Sequence, residues 1–280
     1  MIETPLPRPQ SLLLAAPPGD AVQVVWLGQA GFVIDGGGRR VVIDPYLSDS
    51  LAQKYRGTAF PHTRMMPAPV ASRDIAHVNL VLITHAHTDH MDPGTLPELL
   101  AANPAALMIA PRAARHAALA RSGIDQARLR LMDAGDTLTL PGVTIIATAA
   151  AHETRERDEA GHHRFLGYAV TLAGRRIFHS GDTIPFDGQL AEVTALHADL
   201  ALFPVNGRDA TRAANGIPGN LTADEAVELA RDAGIPAMIA HHHSLFAFNT
   251  AKPLDLVRIS NTSQSPQVYI ANLGTCWMWP

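Results

Sequence analysis

A run of histidine and aspartate side chains, here called the central run, lies about a third of the way along the chain, directly after the residues 78–83. The run reads Thr84-His85-Ala86-His87-Thr88-Asp89-His90. Three imidazoles and a carboxylate within six residues are costly in a core but make a good set of metal ligands. His85 and His87 can turn to one ion, and Asp89 and His90 can face a second ion. A solvated polar loop is the weaker interpretation, because a buried strand precedes the run.

Further histidine and aspartate side chains follow other predicted strands. His152 ends the apolar stretch 143–151, Asp182 follows a predicted hairpin, and a triple histidine, residues 241–243, follows the strand 237–240. Loops at the carboxyl ends of strands are where α/β proteins build their sites. Taken singly, each residue fits an ordinary polar loop as well as a metal site. Together with the central run, they predict a centre for two divalent ions.

Strands alternate with helices along the chain, which predicts an α/β fold. Apolar segments separated by glycine turns predict one β-hairpin within residues 22–43 and another within residues 167–179. The clearest helix spans residues 223–233. Thr222 is its predicted N-cap, Glu225 completes a capping box, and Gly234 ends it.

The two predicted hairpins resemble each other in sequence. Residues 31–34 and 167–170 match at an offset of 136, the same offset relates the Gly-Arg-Arg turns, and the hairpins run into Asp44 and Asp182. This echo predicts two similar halves that pack face to face, with chance coincidence as the alternative. Residues 1–20 hold five prolines and predict an extended arm, so residues 21–280 would form a single domain.

Composition excludes several classes of protein. The chain has 280 residues and a net charge of −4, which argues against an electrostatic nucleic-acid binder. Cys276 is alone, so the chain has neither an internal disulfide nor a thiolate cluster. No apolar run approaches the roughly 20 residues of a membrane span. We expect a cytoplasmic protein with a small-molecule substrate, no nucleic-acid or membrane partner, and assembly as a homo-oligomer.

The order of the candidate histidine and aspartate ligands along the chain resembles the dinuclear metal signature of the metallo-β-lactamase fold superfamily. The resemblance covers about residues 22–249. It implies a four-layer αββα sandwich with the site at one edge, between two similar halves. It also implies the ligands of the two ions: His85, His87 and His152 for one, Asp89, His90 and His242 for the other, with Asp182 bridging both. His242 precedes the Phe246-Ala247-Phe248-Asn249 segment by the family spacing, and His241 is the alternative.

Five segments resemble one branch of this superfamily, the L-ascorbate-6-phosphate lactonase-like hydrolases. They are residues 26–32, 44–49, 89–92, 180–183 and 206–209. The branch implies a lactonase, with substrates that include phosphorylated sugar lactones such as L-ascorbate 6-phosphate, and it implies Mn. The ligand types alone suit Zn, Fe(II) or Mn. A metal-dependent phosphodiesterase for a nucleotide or lipid head group and a non-catalytic metal-binding scaffold are the alternative functions.

The expected mechanism uses a hydroxide that bridges two ions about 3.5–4 Å apart and attacks an acyl or phosphoryl centre. Asp89 and Asp182 are the predicted catalytic carboxylates, and Asp89 is expected to accept a proton as well as to bind metal. Asp44 follows a buried strand and is expected to orient a ligand histidine or its loop, with a turn cap as the alternative.

Other polar residues are candidates for substrate contacts. Asn206, Arg208 and Arg212 are predicted to bind an anionic group of the substrate, with a surface ion pair of Arg208 and Asp209 as the alternative. Residues 153–164 fit either an entrance loop or an ordinary solvated loop, and residues 54–56 are weighed as part of the pocket rim. The isolated histidines are predicted to be structural: His62, His77, His116 and His197.

Overall fold

The structure is a computed structural model that describes residues 1–6, 9–261 and 265–279. Its strands in chain order are β1 (Ile2–Pro5), β2 (Val22–Gly28), β3 (Gly31–Gly36), β4 (Arg39–Ile43), β5 (Leu80–Leu82), β6 (Leu107–Pro111), β7 (Leu129–Met132), β8 (Thr137–Leu140), β9 (Val143–Ala149), β10 (Leu166–Leu172), β11 (Arg175–His179), β12 (Leu200–Pro204), β13 (Ala237–His241), β14 (Gln267–Ile270) and β15 (Thr275–Trp279). Its α-helices are α1 (Pro9–Leu14), α2 (Ser50–Lys54), α3 (Leu96–Ala102), α4 (Arg115–Ser122), α5 (Gln189–Leu196), α6 (Ala210–Ala214), α7 (Ala223–Asp232) and α8 (Pro253–Ser260).

The strands form two mixed sheets with the same internal order. One sheet runs β1-β15-β2-β3-β4-β5-β6-β7, and the other runs β14-β13-β12-β11-β10-β9-β8. In the first, β2, β3 and β4 pair antiparallel and β4 to β7 pair parallel. In the second, β9, β10 and β11 pair antiparallel and β11 to β14 pair parallel. The predicted pair of similar halves is confirmed, and the echoed hairpins are β3–β4 and β10–β11.

The two sheets face each other across a shared apolar core, and helices cover their outer faces. The core between the sheets contains side chains of both, such as Trp26, Ile34, Tyr168 and Leu202. A second cluster joins the first sheet to α1, α3 and α4, and a third joins the other sheet to α5, α7 and α8. These four layers are the predicted αββα sandwich. Such layering buries both faces of the parallel strands, which explains why β5 and β12 consist of apolar residues alone.

Helix ends follow the local rules that the sequence suggested. Helix α7 has both hydrogen bonds of the capping box between Thr222 and Glu225. Helix α4 ends at Gly123, whose left-handed φ of 68° suits glycine. Among the described residues, we find no helix that is both long and apolar enough to cross a membrane.

Within the proline-rich first 20 residues, the described segments β1 and α1 are part of the fold rather than a simple extended arm. Strand β1 pairs with β15 at the edge of the first sheet, and Leu13 of α1 is fully buried. Arg40, itself buried, donates hydrogen bonds to the carbonyl oxygens of Leu12 and Leu13. Prolines suit these places because an edge strand and a helix start can each do without an N–H donor.

Candidate metal centre

Loops that follow parallel or hairpin strands bring the predicted ligands together at one edge of the sandwich. The central run follows β5, His152 follows β9, Asp182 follows β11, and His242 follows β13. In the second sheet, β11 and β13 end on the same side because both pair in parallel with β12, and in the first sheet β5 ends on the same side as its parallel partner β4. Both sheets contribute side chains to one site, as the resemblance to the metallo-β-lactamase fold implies.

The ligand atoms fall into three overlapping groups. In each group, one atom per residue lies within 4.8 Å of the others. The groups are His85, His87 and His152; His85, His90 and Asp182; and Asp89, His90 and His242. The structure thus brings together all seven residues that were predicted from the sequence, although their roles as ligands stay predictions.

Asp182 lies between the histidines of the two halves. Its Oδ2 is 3.3 Å from Nε2 of His90, 3.2 Å from Nε2 of His242 and 3.8 Å from Nε2 of His152. Burial alone would raise the pKa of Asp182, but His242 and His90 hold it well below its usual range. This carboxylate is therefore ionised and placed where it can be shared by two groups of ligands.

Buried polar atoms without partners show that the site fits metal ions. Among the described residues, Nε2 of His85, Nε2 of His90 and Oδ1 of Asp182 are buried and have no hydrogen-bond partner. Burial also lowers the pKa of His85 well below its usual value and that of His152 to about 4, so both rings are neutral and offer a lone pair. Neutral imidazoles beside carboxylates are the donor set of a Zn, Mn or Fe site.

Asp44 supports residues 84–90 through hydrogen bonds to Thr84 and His90. Its Oδ2 is 2.7 Å from Nδ1 of His90, and its Oδ1 accepts a hydrogen bond of 2.8 Å from the backbone N–H of Thr84. The hydroxyl of Thr84 also donates to Oδ2 of Asp44, at 2.5 Å. With Nδ1 engaged, His90 presents Nε2 to the centre, which is the orienting contact expected of Asp44.

Gln29 is a residue of the site whose role sequence reasoning missed. Its Nε2 donates a hydrogen bond of 2.9 Å to Oδ2 of Asp89 and lies 3.2 Å from Nε2 of His242. Gln29 lies in the β2–β3 turn with a left-handed φ of 50°, and it is almost fully buried. Its segment was noted only for its resemblance to related chains, because a lone glutamine in a turn carries no spacing signal.

The two candidates for the last ligand, His241 and His242, have their rings in different places. His242 has a left-handed φ of 62°, which turns its ring into the cleft beside Asp182. His241 belongs to β13 and packs in the interior, with its ring centroid 5.2 Å from that of Phe32 and 4.9 Å from that of His179. The structure therefore brings His242, the preferred candidate, to the centre.

The residues predicted to bind an anion contact other protein groups instead. Both Nη atoms of Arg208 lie 2.6 Å from the carboxylate oxygens of Glu225. Arg212 donates to Asp209 at 2.7 Å and to Oδ1 of Asn249 at 2.9 Å. Asn206 is buried and also binds Asn249, at 2.8 Å. None of these three predicted residues lines the cleft, so their contacts explain a folded loop rather than substrate binding.

A cleft of about 840 Å³ opens over the centre. Lys54 and Tyr55 line it, which agrees with the rim suggested for residues 54–56, and Glu153, Glu156 and Arg164 of the suspected entrance loop line it too. His62 also lines this cleft, although the sequence favoured a purely structural role for it. Its isolated position in the sequence gave no indication that the loop folds back over the site.

Comparison with known proteins identifies the family. A model of the beta-lactamase superfamily domain matches residues 39–243. The chain belongs to this superfamily. It is a metal-dependent hydrolase with the metallo-β-lactamase fold, and it also belongs to the UPF0173 metal-dependent hydrolase family, as its relatives show.

The UPF0173 hydrolase TK0141 of Thermococcus kodakarensis is 31% identical over 191 residues, which cover 66% of this chain and 73% of TK0141. A UPF0173 hydrolase of Methanospirillum hungatei is 26% identical, covering 80% of this chain and 84% of its own. The solved structure of Igni18, a metallo hydrolase of Ignicoccus hospitalis, matches with a TM-score of 0.65 and 19% identity over 93% of this chain and 99% of Igni18. At that identity, the likeness supports the fold of this hydrolase alone.

Proposed function

We propose that the chain hydrolyses a lactone or another carboxylic ester with two divalent ions, Mn or Zn. The observation that carries the proposal is the place of Asp182, within 3.3 Å of histidine nitrogens from both halves. The proposed ligands of one ion are His85, His87 and His152. The proposed ligands of the other are Asp89, His90 and His242, and Asp182 would serve both.

Divalent ions, when bound, lower the pKa of water and polarise the carbonyl oxygen of an ester. The protein's own groups orient the ligands and move protons. Asp89 is the more open of the two central carboxylates, with 19% of its side chain exposed against 4% for Asp182. We assign to Asp89 the acceptance of the proton that the attacking water loses, while Gln29 holds its Oδ2.

The contacts of the arginines favour an acyl substrate over a phosphoryl one. Arg208 and Arg212, the residues expected to bind an anion, are engaged by Glu225 and Asp209. Arg121 lines the cleft but donates hydrogen bonds to the backbone oxygens of Ala86 and Met91. Arginine side chains frequently bind two phosphate oxygens at once, and these three arginines already contact other groups of the protein.

The direct test is proton release by protein loaded with Mn or with Zn. Three substrates separate the candidate reactions: γ-butyrolactone, L-ascorbate 6-phosphate and bis(p-nitrophenyl) phosphate. We expect turnover of the simple lactone, and we expect His87→Ala to abolish it because one group of ligands loses a member. His116→Ala is the matched control, since His116 is exposed and outside the cleft.

The remaining outcomes discriminate between the alternatives. Hydrolysis of the phosphodiester alone would replace the proposal with a phosphodiesterase. Hydrolysis of the phosphorylated lactone alone would show that an anion site exists despite the engaged arginines. Loss of all turnover in protein that holds two ions would favour a metal-binding scaffold.

A further inference from the structure

One wall of the cleft over the metal centre is built from aromatic rings. We call it the aromatic wall, and its members are Tyr55, Phe60, His62, Phe246 and Phe248. The ring of His62 stacks on Tyr55 with a centroid distance of 4.3 Å and meets the rings of Phe246 and Phe248 at 5.0 and 4.7 Å. Phe60 joins the wall through Phe248, at 5.2 Å.

Packing alone does not account for this wall. Phe246 is buried and anchors it, but the other four rings are half-buried and keep part of their surface open to the cleft. Two segments far apart in sequence, residues 55–62 and 246–248, bring these rings together. Partly open aromatic rings in a concave site are surfaces that a ligand covers, because they combine large apolar area with few polar demands.

The wall is continuous with the metal centre. His87, Asp89, His152, Asp182 and His242 line the same cleft as the five rings. A molecule whose reacting bond lies at the ligands therefore extends along the wall.

Apart from the proposed metal ions, the charged side chains that line the cleft are three basic and four acidic ones, so they provide no excess of positive charge for a strongly anionic occupant. Arg164 lies 3.9 Å from Glu156, and Arg121 is held by backbone oxygens. The Nζ of Lys54 lies 4.9 Å from the centroid of the Tyr55 ring, where the ring itself attracts the cation. Glu153 adds a negative charge to the lining.

His62 gives the wall one polar atom of defined character. Its Nδ1 lies 2.6 Å from the carbonyl oxygen of Phe60, so this nitrogen carries the proton and donates. Nε2 is then the acceptor of a neutral ring, and burial lowers the pKa of His62, which keeps the ring neutral. An uncharged ligand suits such a surface better than an anion does.

We propose that the aromatic wall is the binding subsite for an uncharged aromatic group carried by the substrate. The proposal rests on the proposed function, because it assigns the part of an ester or lactone that lies away from the reacting bond. It makes Tyr55, Phe248 and His62 residues that determine specificity.

Two lactones that differ only in this group provide the test: γ-phenyl-γ-butyrolactone and γ-methyl-γ-butyrolactone. We expect kcat/KM of the metal-loaded protein to be at least about tenfold higher for the phenyl compound, since stacking adds to the area that the ring buries. Phe248→Ala and Tyr55→Ala should each reduce this ratio about fivefold. The control is Phe186→Ala, which removes a half-buried ring outside the cleft and should leave the ratio unchanged.

A binding experiment keeps the subsite testable if no lactone is hydrolysed. The corresponding lactams, 5-phenylpyrrolidin-2-one and 5-methylpyrrolidin-2-one, are titrated into metal-loaded protein by calorimetry. Tighter binding of the phenyl lactam, lost in Phe248→Ala, would support the subsite even where the proposed ester hydrolysis fails.

Hydrolysis of both lactones at equal kcat/KM would overturn the aromatic subsite and leave the hydrolase standing. A phenyl preference that survives both wall substitutions would overturn it as well. Where neither lactone is hydrolysed, equal affinity for the two lactams would overturn the aromatic subsite.

Discussion

Gln29 connects the two halves of the site at the level of a single side chain. It donates to Asp89, a residue of the first half, and lies against His242 of the second half. Its backbone oxygen also accepts hydrogen bonds from Trp26 Nε1 at 2.9 Å and from the backbone N–H of His242 at 3.0 Å. One residue of the β2–β3 turn thus fixes the relative position of two proposed ligands of the same ion.

We predict that Gln29→Ala weakens binding of the ion held by Asp89, His90 and His242. A lost partner of a metal ligand typically costs 10–100-fold in metal affinity, and we expect a loss of about that size. Calorimetric titration with Mn or Zn measures it, and the ion at the other group should bind as in the wild type.

Gln23→Ala is the matched control, because Gln23 lies on β2, the strand that leads into the turn of Gln29, and its side chain contacts Met278 away from the site. Equal affinities for both ions in Gln29→Ala and the wild type would show that Gln29 does not position these ligands.

Sequence reasoning named the proposed ligands and Asp44, but it missed the roles of Gln29 and His62, and the reason is physical. His85, His87, Asp89 and His90 are neighbours in the chain and follow an apolar strand, so their spacing alone carries the signal. Gln29 and His62 act through contacts with residues about 60 to 210 positions away. Such contacts exist only once the two halves have packed.

At the scale of the elements, the turn after β11 delivers Asp182 to the centre. Gly181 has a φ of +64°, and a Cβ there would overlap the carbonyl oxygen of Leu166 and lie 3.1 Å from the Cβ of Thr84. His179 supports the same turn, because its Nδ1 accepts a hydrogen bond of 3.0 Å from the N–H of Gly181. A glycine is therefore required both by the backbone angle and by the space.

We predict that Gly181→Ala shifts the turn, displaces Asp182 and weakens the binding of both ions. The left-handed backbone alone costs about 1–3 kcal/mol for a residue with a side chain, and the overlap with Leu166 adds to it. Urea unfolding measures the loss of stability, and metal titration measures the loss of affinity.

The control variant Gly174→Ala separates the effect of backbone strain from the effect of displacing Asp182. Gly174 has a φ of +75° in the β10–β11 turn, and a Cβ added there would point into open space, with no other atom within 4 Å. This variant should lose stability through its backbone alone and bind metal like the wild type. Wild-type affinity in Gly181→Ala would contradict the role given to the turn.

The hairpins and the parallel strands at the site were predictable, whereas the sheet edges were not. Strands β3, β4, β10 and β11 are apolar and flanked by glycine turns. Strand β15 comes from the end of the chain and inserts between β1 and β2, in the first sheet rather than the second. No local pattern encodes which sheet a terminal strand joins, because that choice depends on the surfaces left unpaired by the rest of the fold.

At the scale of the whole molecule, the buried histidines make the metal-free protein sensitive to acid. Burial lowers the pKa of five of them: His85, His152, His179, His241 and His243. For His152 and His243 the pKa falls to about 4. The unfolded chain takes up these protons below about pH 6.5, whereas the folded protein does not.

We therefore predict that the metal-free protein loses stability as the pH falls from about 6.5 towards 4. Each such histidine lowers the free energy of unfolding by up to about 1.4 kcal/mol for each pH unit in that window. His90 behaves differently, because Asp182, Asp44 and Asp89 raise its pKa above the usual value despite its burial. The stability that His90 contributes is therefore already complete below pH 6.5, and it does not change as the pH falls further. Urea midpoints in the presence of a chelator at pH 7.5, 6 and 5 measure the effect.

His243→Gln should flatten this dependence, whereas His116→Gln, at an exposed position, should leave it as it is. A urea midpoint that stays constant or rises on acidification would contradict the prediction.

Assembly as a homo-oligomer, expected from the sequence, stays a separate prediction that sedimentation can test.

The central claim is that side chains from both halves form one centre for two ions. Native mass spectrometry of protein reconstituted with Mn or Zn tests it most directly, by counting the ions on each chain. We predict two ions on the wild type and one on each of His152→Ala and His242→Ala, which remove a ligand from different groups. A wild type that holds fewer than two ions, or a His242→Ala variant that still holds two, would contradict the account.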